Sequence, residues 1–378
     1  MNLRRSAIAI VAALSACRLF DDAPADRHVL QWLWRKPNNS TFVNAWSGVP
    51  AATDEMAILE LPGGLIDAVD ATTSATRWYT ATLPGSSGAT AGKLLVMRGR
   101  VLVADGRKVM ALDVATGAVL WTYVPRSSTA LLYGSADSTA FYVIERDHRV
   151  SALDLVTGAE RWSVDVDPAR QDSTYGQGTA VSGDTVYAAL IECQNEYCGF
   201  GRGVLIALSA STGAELWRYH APDNVSDAWG ITIVNRLAVV SDTRAGGIYA
   251  VDRFTGQRVW SAHGEAGFAG PVVPAAVAGD TLYFGVEDGG IYAVKAETGQ
   301  NLWSAKVSGG VSGVTVCGDA LFALHLAISK LNRHTGEYIG SRGTGDDPDW
   351  PSTSGGAVVG DRIVVSGPGA TWAYSCRL

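Results

Sequence analysis

An eleven-residue phrase, Ala111-Leu112-Asp113-Val114-Ala115-Thr116-Gly117-Ala118-Val119-Leu120-Trp121, returns along most of the chain and limits what the chain can fold into. Close copies run from Ala152 to Trp162, Ala207 to Trp217, Ala250 to Trp260 and Ala293 to Trp303. Two weaker copies flank them: Ala68 to Trp78 carries Ser74 in place of the glycine, and Lys330 to Gly340 has lost both the alanine and the tryptophan. Apolar alternation up to the aspartate, a polar Thr-Gly corner and renewed alternation ending in tryptophan describe two strands joined by a tight turn. Glycine supplies the positive φ of that turn. Asp and Thr bond local backbone amides, and the indole offers a large apolar face to a neighbouring unit. A lone hairpin has no second layer to pack on, so the copies must stack.

The tryptophans, beginning with Trp34 and Trp78, recur about every 43 residues, the length of four short strands. The longer gap between Trp162 and Trp217 holds an insertion around Cys193 and Cys198. Upstream of the phrase lies a second hairpin, marked by Gly183-Asp184, Gly279-Asp280, Gly318-Asp319 and Gly360-Asp361. Each unit therefore reads strand A, Gly-Asp turn, strand B, turn, strand C, Thr-Gly turn, strand D. Val359 to Val365 and Thr371 to Ser375 supply strands A to C of an eighth unit that lacks strand D, whereas Val29 to Trp34 is an orphan strand with Trp34 at the D position. The predicted fold is all-β: a ring of eight four-stranded antiparallel blades over residues 28–378, closed by the N-terminal strand completing the last blade. An open solenoid would call for capping units instead of a split one.

Composition agrees, since 43 glycines and 47% hydrophobic residues suit many short strands and tight turns better than long helices. A net charge of -7 lacks the basic stripe that nucleic acid requires. Ahead of the ring, Arg4 and Arg5 precede the apolar run Ala7 to Leu14, so residues 1–16 read as an export signal, too short for the roughly 20 residues of a membrane span. Leu14-Ser15-Ala16-Cys17 resembles a bacterial lipobox, which implies cleavage to leave Cys17 as a lipidated N-terminus and residues 17–27 as a tether. Arg18, where a retained lipoprotein would carry Asp, points by the same resemblance to the outer membrane and a periplasm-facing ring.

Export implies an oxidising compartment for the four remaining cysteines. Cys193 and Cys198 are placed for a local bridge, leaving Cys317 and Cys376 at strand-end turns of the last two units, as a staple of the C-terminus or as two free thiols. Four thiols at these spacings without nearby histidine do not form a zinc site.

The phrase Ala-x-Asp-x-x-Thr-Gly-x-x-x-Trp resembles the PQQ-type repeat of quinoprotein-like eight-bladed propellers over residues 28–378. That resemblance implies that Trp121 docks on Ala111 of its own phrase and Gly158 of the next, with Trp34, Trp78, Trp162, Trp217, Trp260 and Trp303 in the same structural role. It also implies one of two occupations: a quinone-dependent dehydrogenase, or a non-catalytic envelope lipoprotein that partners the outer-membrane β-barrel assembly machinery. The dehydrogenases of the family seat their quinone against a vicinal Cys-Cys disulfide beside a calcium ion, and here no two cysteines adjoin. No haem-type Cys-x-x-Cys-His is present, the six histidines form no His-Glu-x-x-His, and no Gly-x-Ser-x-Gly elbow occurs. Asp346-Asp347-Pro348-Asp349 lacks the full ligand spacing of a calcium loop. The expectation is a monomeric, non-enzymatic binding ring with no catalytic, cofactor or metal residues. A quinone- or other small-molecule-binding dehydrogenase is the alternative, and an envelope sensor or carbohydrate binder a third.

Alternating strand direction places the D-to-A and B-to-C connections on one face and the Gly-Asp and Thr-Gly turns on the other. The first set is long and varied, and such loops on a rigid scaffold are where recognition concentrates. Arg126, Arg170, Tyr175, Tyr197, Phe200, Trp229, Phe268 and Trp350 are the expected contact residues there, being of the aromatic and arginine types that anchor interfaces. Packing of each on its own blade is the competing expectation.

Overall fold

The computed structural model describes residues 29–37, 49–61, 64–81, 94–104, 108–126, 134–145, 148–167, 174–193, 201–222, 230–242, 246–263, 275–325, 327–343, 355–367 and 369–378. Cys17, the export signal, the tether, Cys198, Arg170, Tyr197, Phe200, Trp229, Phe268 and Trp350 lie outside them, as do the side chains of Tyr175 and Cys193. The described strands form eight four-stranded antiparallel sheets, each in the order A-B-C-D. Blade 2 is typical, with strand A at Leu95–Met97, B at Arg100–Ala104, C at Val109–Asp113 and D at Val119–Tyr123. The ring closes through a split blade. Trp32–Pro37 supplies strand D of blade 8 and pairs antiparallel with its strand C, Ala370–Ser375, while strand A of blade 8 packs against strand A of blade 1.

The phrases of blades 1, 2, 3 and 5 share one anatomy, while Ser209, Lys295 and Asn332 stand at the aspartate position of blades 4, 6 and 7. In blade 2 the Asp113 carboxylate accepts the backbone N–H groups of Ala115 and Thr116 at 3.0 and 2.9 Å and the Thr116 hydroxyl at 2.9 Å, so the Thr-Gly corner is satisfied from within. These donors favour the charged form. The Thr116 hydroxyl is the main reason the Asp113 carboxyl sits below its usual range, and Arg161 does the same for Asp154 in blade 3. Beyond the corner Ala111 pairs with Trp121 and Leu112 with Val119, leaving Leu120 as the extra residue of a β-bulge. A bulge re-aims the side chain beside it, and here the indole faces the next blade.

Seven indoles, those of Trp34, Trp78, Trp121, Trp162, Trp217, Trp260 and Trp303, donate to the next blade's backbone carbonyl just past its strand C, at Ala71, Val114, Leu155, Ala210, Arg253, Ala296 and Arg333, over 2.8 to 3.1 Å. The ring of Trp121 lies flat enough on Gly158 that a Cβ added there would sit 2.6 Å from it. Each of the eight seams between blades holds its own hydrophobic cluster, such as Leu102, Ala111 and Trp121 against Phe141, Val143 and Leu153. The stack is thus held by apolar burial and fixed in register by one hydrogen bond per tryptophan.

The seam from blade 7 to blade 8 departs from this pattern, and the split blade explains why. Strands C and D of blade 8 come from opposite ends of the chain, so no C–D hairpin exists there for an indole to dock on. At the Ala and Trp positions of blade 7 stand Lys330 and Gly340, paired with each other in the same register. The volume is exchanged: the buried Lys330 side chain takes the space, and its amine donates to the carbonyls of Ser375, at 3.0 Å, and Arg377. Burial pulls its pKa below that of an ordinary lysine. Cys317 of blade 7 and Cys376 of blade 8 are joined in a disulfide across the same seam, with Cα atoms 5.4 Å apart.

Three details differ from expectation. The N-terminal strand begins at Trp32, not Val29; Val29 instead bridges Ser341 in parallel on the outer edge of blade 7, and Leu30 N–H donates to the Ser341 carbonyl at 3.0 Å. Tyr175, expected in a loop, lies in strand A of blade 4, Thr174–Ser182, paired with Ile191. That strand is long because its partners are: strand B runs through Cys193 and strand C starts at Gly201, so the flanks of the insertion around Cys193 and Cys198 are ladder.

Gly158 and Gly183 both have positive φ, but only Gly158 has an indole against it. Gly183→Ala should cost about 1 kcal/mol, the cost of a side chain in the left-handed region, and Gly158→Ala distinctly more. Denaturant midpoints of the two variants check the order.

Candidate functional site

The two faces of the ring differ in chemistry as well as in length of connection. On the face of the Gly-Asp and Thr-Gly turns the polar groups close their own corners. On the other face, where strands B end, strands C begin and strands D run out, buried ionisable side chains gather across blades 3 and 4.

At the seam of blades 2 and 3 a neighbouring pair starts from the part-buried Glu160, the first residue of strand D of blade 3 beside the Thr157-Gly158 corner. One carboxylate oxygen accepts the Tyr123 hydroxyl at 2.9 Å and the other the Arg126 guanidinium at 2.7 Å, both from blade 2. Burial, then this hydrogen bond, pushes the Tyr123 phenol up to about 12, so it remains a donor at every physiological pH. At the B-to-C corner of blade 3, His148 is buried with its Nδ1 2.6 Å from Asp165 Oδ1. Its φ is 62°, where the corresponding positions of blades 1, 5 and 6 hold Gly64, Gly246 and Gly289, also at positive φ. A histidine in the left-handed region costs more than glycine, and such strain concentrates at functional positions. The corner is otherwise the same as in blade 6: Val166 N–H donates to the His148 carbonyl as Val307 does to that of Gly289.

Blade 4 continues the charge pattern. Arg202 Nη2 lies 2.7 Å from Glu192 Oε2, and His220 Nδ1 is 3.6 Å from the other carboxylate oxygen. Arg218 reaches back to blade 3, donating to the Val166 carbonyl at 2.7 Å while pairing with Glu215. That carboxylate, with Asp167 and Glu192 contributing charge, raises the Arg218 pKa. The arrangement is a rim of matched charges that fixes strand ends across two blades. Among the described residues no three His, Cys, Asp or Glu side chains converge as a metal donor set.

Of the expected contact residues the described structure includes the side chain of Arg126 alone, which is 68% exposed and ion-paired with Glu160. The rim residues His148, Asp165, Glu192, Arg202 and Arg218 were not singled out as a group from sequence. One signal was available for His148: it stands four residues before Ala152, where Gly64, Gly246 and Gly289 stand before Ala68, Ala250 and Ala293. Replacing it tests the strain directly. His148→Gly should leave stability within about 1 kcal/mol of the parent, since relieved backbone strain offsets the lost hydrogen bond. His148→Val should be clearly destabilising in the same denaturation measurement, because a β-branched residue resists that φ.

Comparison with known proteins follows the architecture. The profile of the family described as outer membrane protein assembly factor BamB matches residues 31–188 and 146–320. Polyvinylalcohol dehydrogenase of Sphingopyxis sp. (strain 113P3) is 30% identical over 196 residues, covering 48% of this chain and 29% of its own, so the chain spans less than a third of that relative's length. The crystal structure of BamB from Moraxella catarrhalis superposes with a TM-score of 0.67 at 17% identity, covering 92% of this chain and 98% of that one. The computationally designed Ika8 protein superposes with a TM-score of 0.72 at 14% identity, covering 90% and 98%. A designed ring fits as well as a natural one, so these superpositions speak for the fold alone. The family match spans most of the chain and coincides with its repeats, and the chain belongs to the PQQ-repeat propeller family described as outer membrane protein assembly factor BamB.

Proposed function

We propose that this chain is a non-catalytic docking scaffold of the bacterial envelope, serving the assembly of outer-membrane β-barrel proteins through the face that carries its irregular connections. The observation that supports this most is the division between the faces. The Thr-Gly turns of one face are each closed by their own Thr, with Asp added in blades 1, 2, 3 and 5, whereas the other face combines long unrepeated connections with a rim of paired charges. Groups matched in ion pairs hold a surface in shape, and rigid scaffolds carrying variable loops are suited to recognition. In this proposal Arg126, Arg170, Tyr197, Phe200, Trp229, Phe268 and Trp350 supply contacts to a protein partner. Residues 1–16 direct export, and Cys17 carries the lipid that holds the ring at the outer membrane, facing the periplasm. The family match supports the assignment, and the likeness to the Moraxella protein named BamB over 92% of this chain supports the ring fold it requires.

A second reading, a quinone-dependent dehydrogenase, is favoured by the 30% identity to polyvinylalcohol dehydrogenase. The residues do not suit it: no two cysteines adjoin in the sequence, and the described residues provide no metal donor set. Two experiments separate the readings. Crosslinking of the lipidated protein in its own envelope should capture a subunit of the barrel-assembly machinery, and the Cys17→Ala form should lose palmitate incorporation and leave the membrane fraction. Stoichiometric binding of PQQ with calcium, accompanied by dye-linked alcohol oxidation, would overturn the docking assignment.

A further inference from the structure

The seam between blades 7 and 8 is the one place where the ring cannot use its usual lock. With no C–D hairpin in blade 8, three features act there instead. Lys330 fills the space opposite Gly340 and donates to the carbonyls of Ser375 and Arg377. Leu30, from the segment that precedes the N-terminal strand, packs on the cluster of Phe322, Leu324, Trp372 and Tyr374. Cys317 and Cys376 provide the covalent tie. The first two are non-covalent. The third joins the last residue of strand A in blade 7 to the residue just beyond strand C of blade 8, the strand on which Trp32–Pro37 pairs. The bridge thus ties to blade 7 the strand that the N-terminal strand pairs with, while Trp34 locks the N-terminal strand itself to blade 1.

We propose that the Cys317–Cys376 bridge is a redox latch that closes the ring at this seam, set by a protein disulfide donor of the thiol–disulfide exchange class. In closing, a thiolate of one cysteine attacks the donor disulfide, the second thiolate attacks the resulting mixed disulfide, and the donor leaves as a dithiol. The two cysteines lose two protons and two electrons, and the donor gains them. Once formed, the bridge is shielded: Cys317 is 1% and Cys376 5% exposed, so a soluble reductant has little access until the seam opens. With both cysteines reduced, blade 8 is held to blade 7 by the apolar cluster of this seam, Lys330 and Leu30, with neither an indole lock nor a covalent tie, and blade 8 frays together with the N-terminal strand it carries. The six seams from blade 1 to blade 7 keep their indole locks and stay shut.

Hydrogen exchange measured by mass spectrometry on the full chain tests this. In a Cys317→Ala/Cys376→Ala variant, amide exchange in Trp32–Pro37, Ala327–Asn332 and Ala370–Ser375 should be at least tenfold faster than in the parent. Val109–Asp113 and Val119–Tyr123 in blade 2 should be unchanged. Unchanged exchange at the seam, or equal acceleration around the whole ring, would overturn the proposal. If the variant does not fold, the parent titrated with a phosphine reductant gives the same readout, with alkylation of Cys317 and Cys376 located by mass. Thiols that appear together with local seam exchange below the melting temperature support the latch; thiols that appear only with global unfolding contradict it.

Discussion

The fold depends on one hydrogen bond made seven times, from a strand D indole to the carbonyl just past strand C of the next blade. A β-sheet twists, and a ring of twisted sheets touching only through apolar side chains has no reason to prefer one stagger over another. The indole adds direction to burial. Its flat ring needs a glycine beneath it and an alanine behind it, and its N–H has to find an acceptor once removed from water. The phrase Ala-x-Asp-x-x-Thr-Gly-x-x-x-Trp states those needs in order: alanine for space, aspartate and threonine to hold the corner, glycine for φ and close approach, tryptophan to reach across.

That lock also dictates where the molecule has to improvise. Closing the ring with a strand from the other end of the chain removes open edges, and in doing so removes one C–D hairpin. The consequence falls on the preceding blade. Lys330 and Gly340 look like decay of the repeat when read alone, yet they face each other across two strands and exchange volume, and the only disulfide among the described residues crosses the same seam. Loss of the motif and gain of the bridge are two sides of one geometric fact. A similar economy marks the faces: turns that hold the stack together are uniform, which leaves the opposite connections free to vary.

Much of this was legible in the chain because the repeat is local. Eight blades, the split closure and the strand order follow from spacings within one period and the period itself, and the docking of Trp121 between Ala111 and Gly158 is what the resemblance to the PQQ-type repeat implied. What was not legible depends on contacts that no period encodes. The His148–Asp165 pair joins a corner to the far end of a strand, and only the missing glycine at position 148 hinted at it. The length of the blade 4 strands was hidden because an insertion rich in Gly and Cys looks like a loop, while its flanks in fact continue the ladder as far as Cys193 and Gly201. Val29 was read as the start of the orphan strand that ends at Trp34; its backbone instead meets Ser341 of a different blade. The contact residues of the irregular face, Arg126 apart, fall outside the described residues, so their part rests on chemistry and position in the chain.

The central claim is that the tryptophan phrase is joinery, distinct from whatever the opposite face binds. The most direct measurement is the unfolding free energy of Trp121→Ala, taken by denaturant titration beside the parent. A buried indole that loses both its packing and its hydrogen bond should cost about 3 to 5 kcal/mol. A midpoint that moves by less than the roughly 0.5 kcal/mol of an ordinary surface substitution would contradict the account, and would mean that the seams are held by something other than their tryptophans.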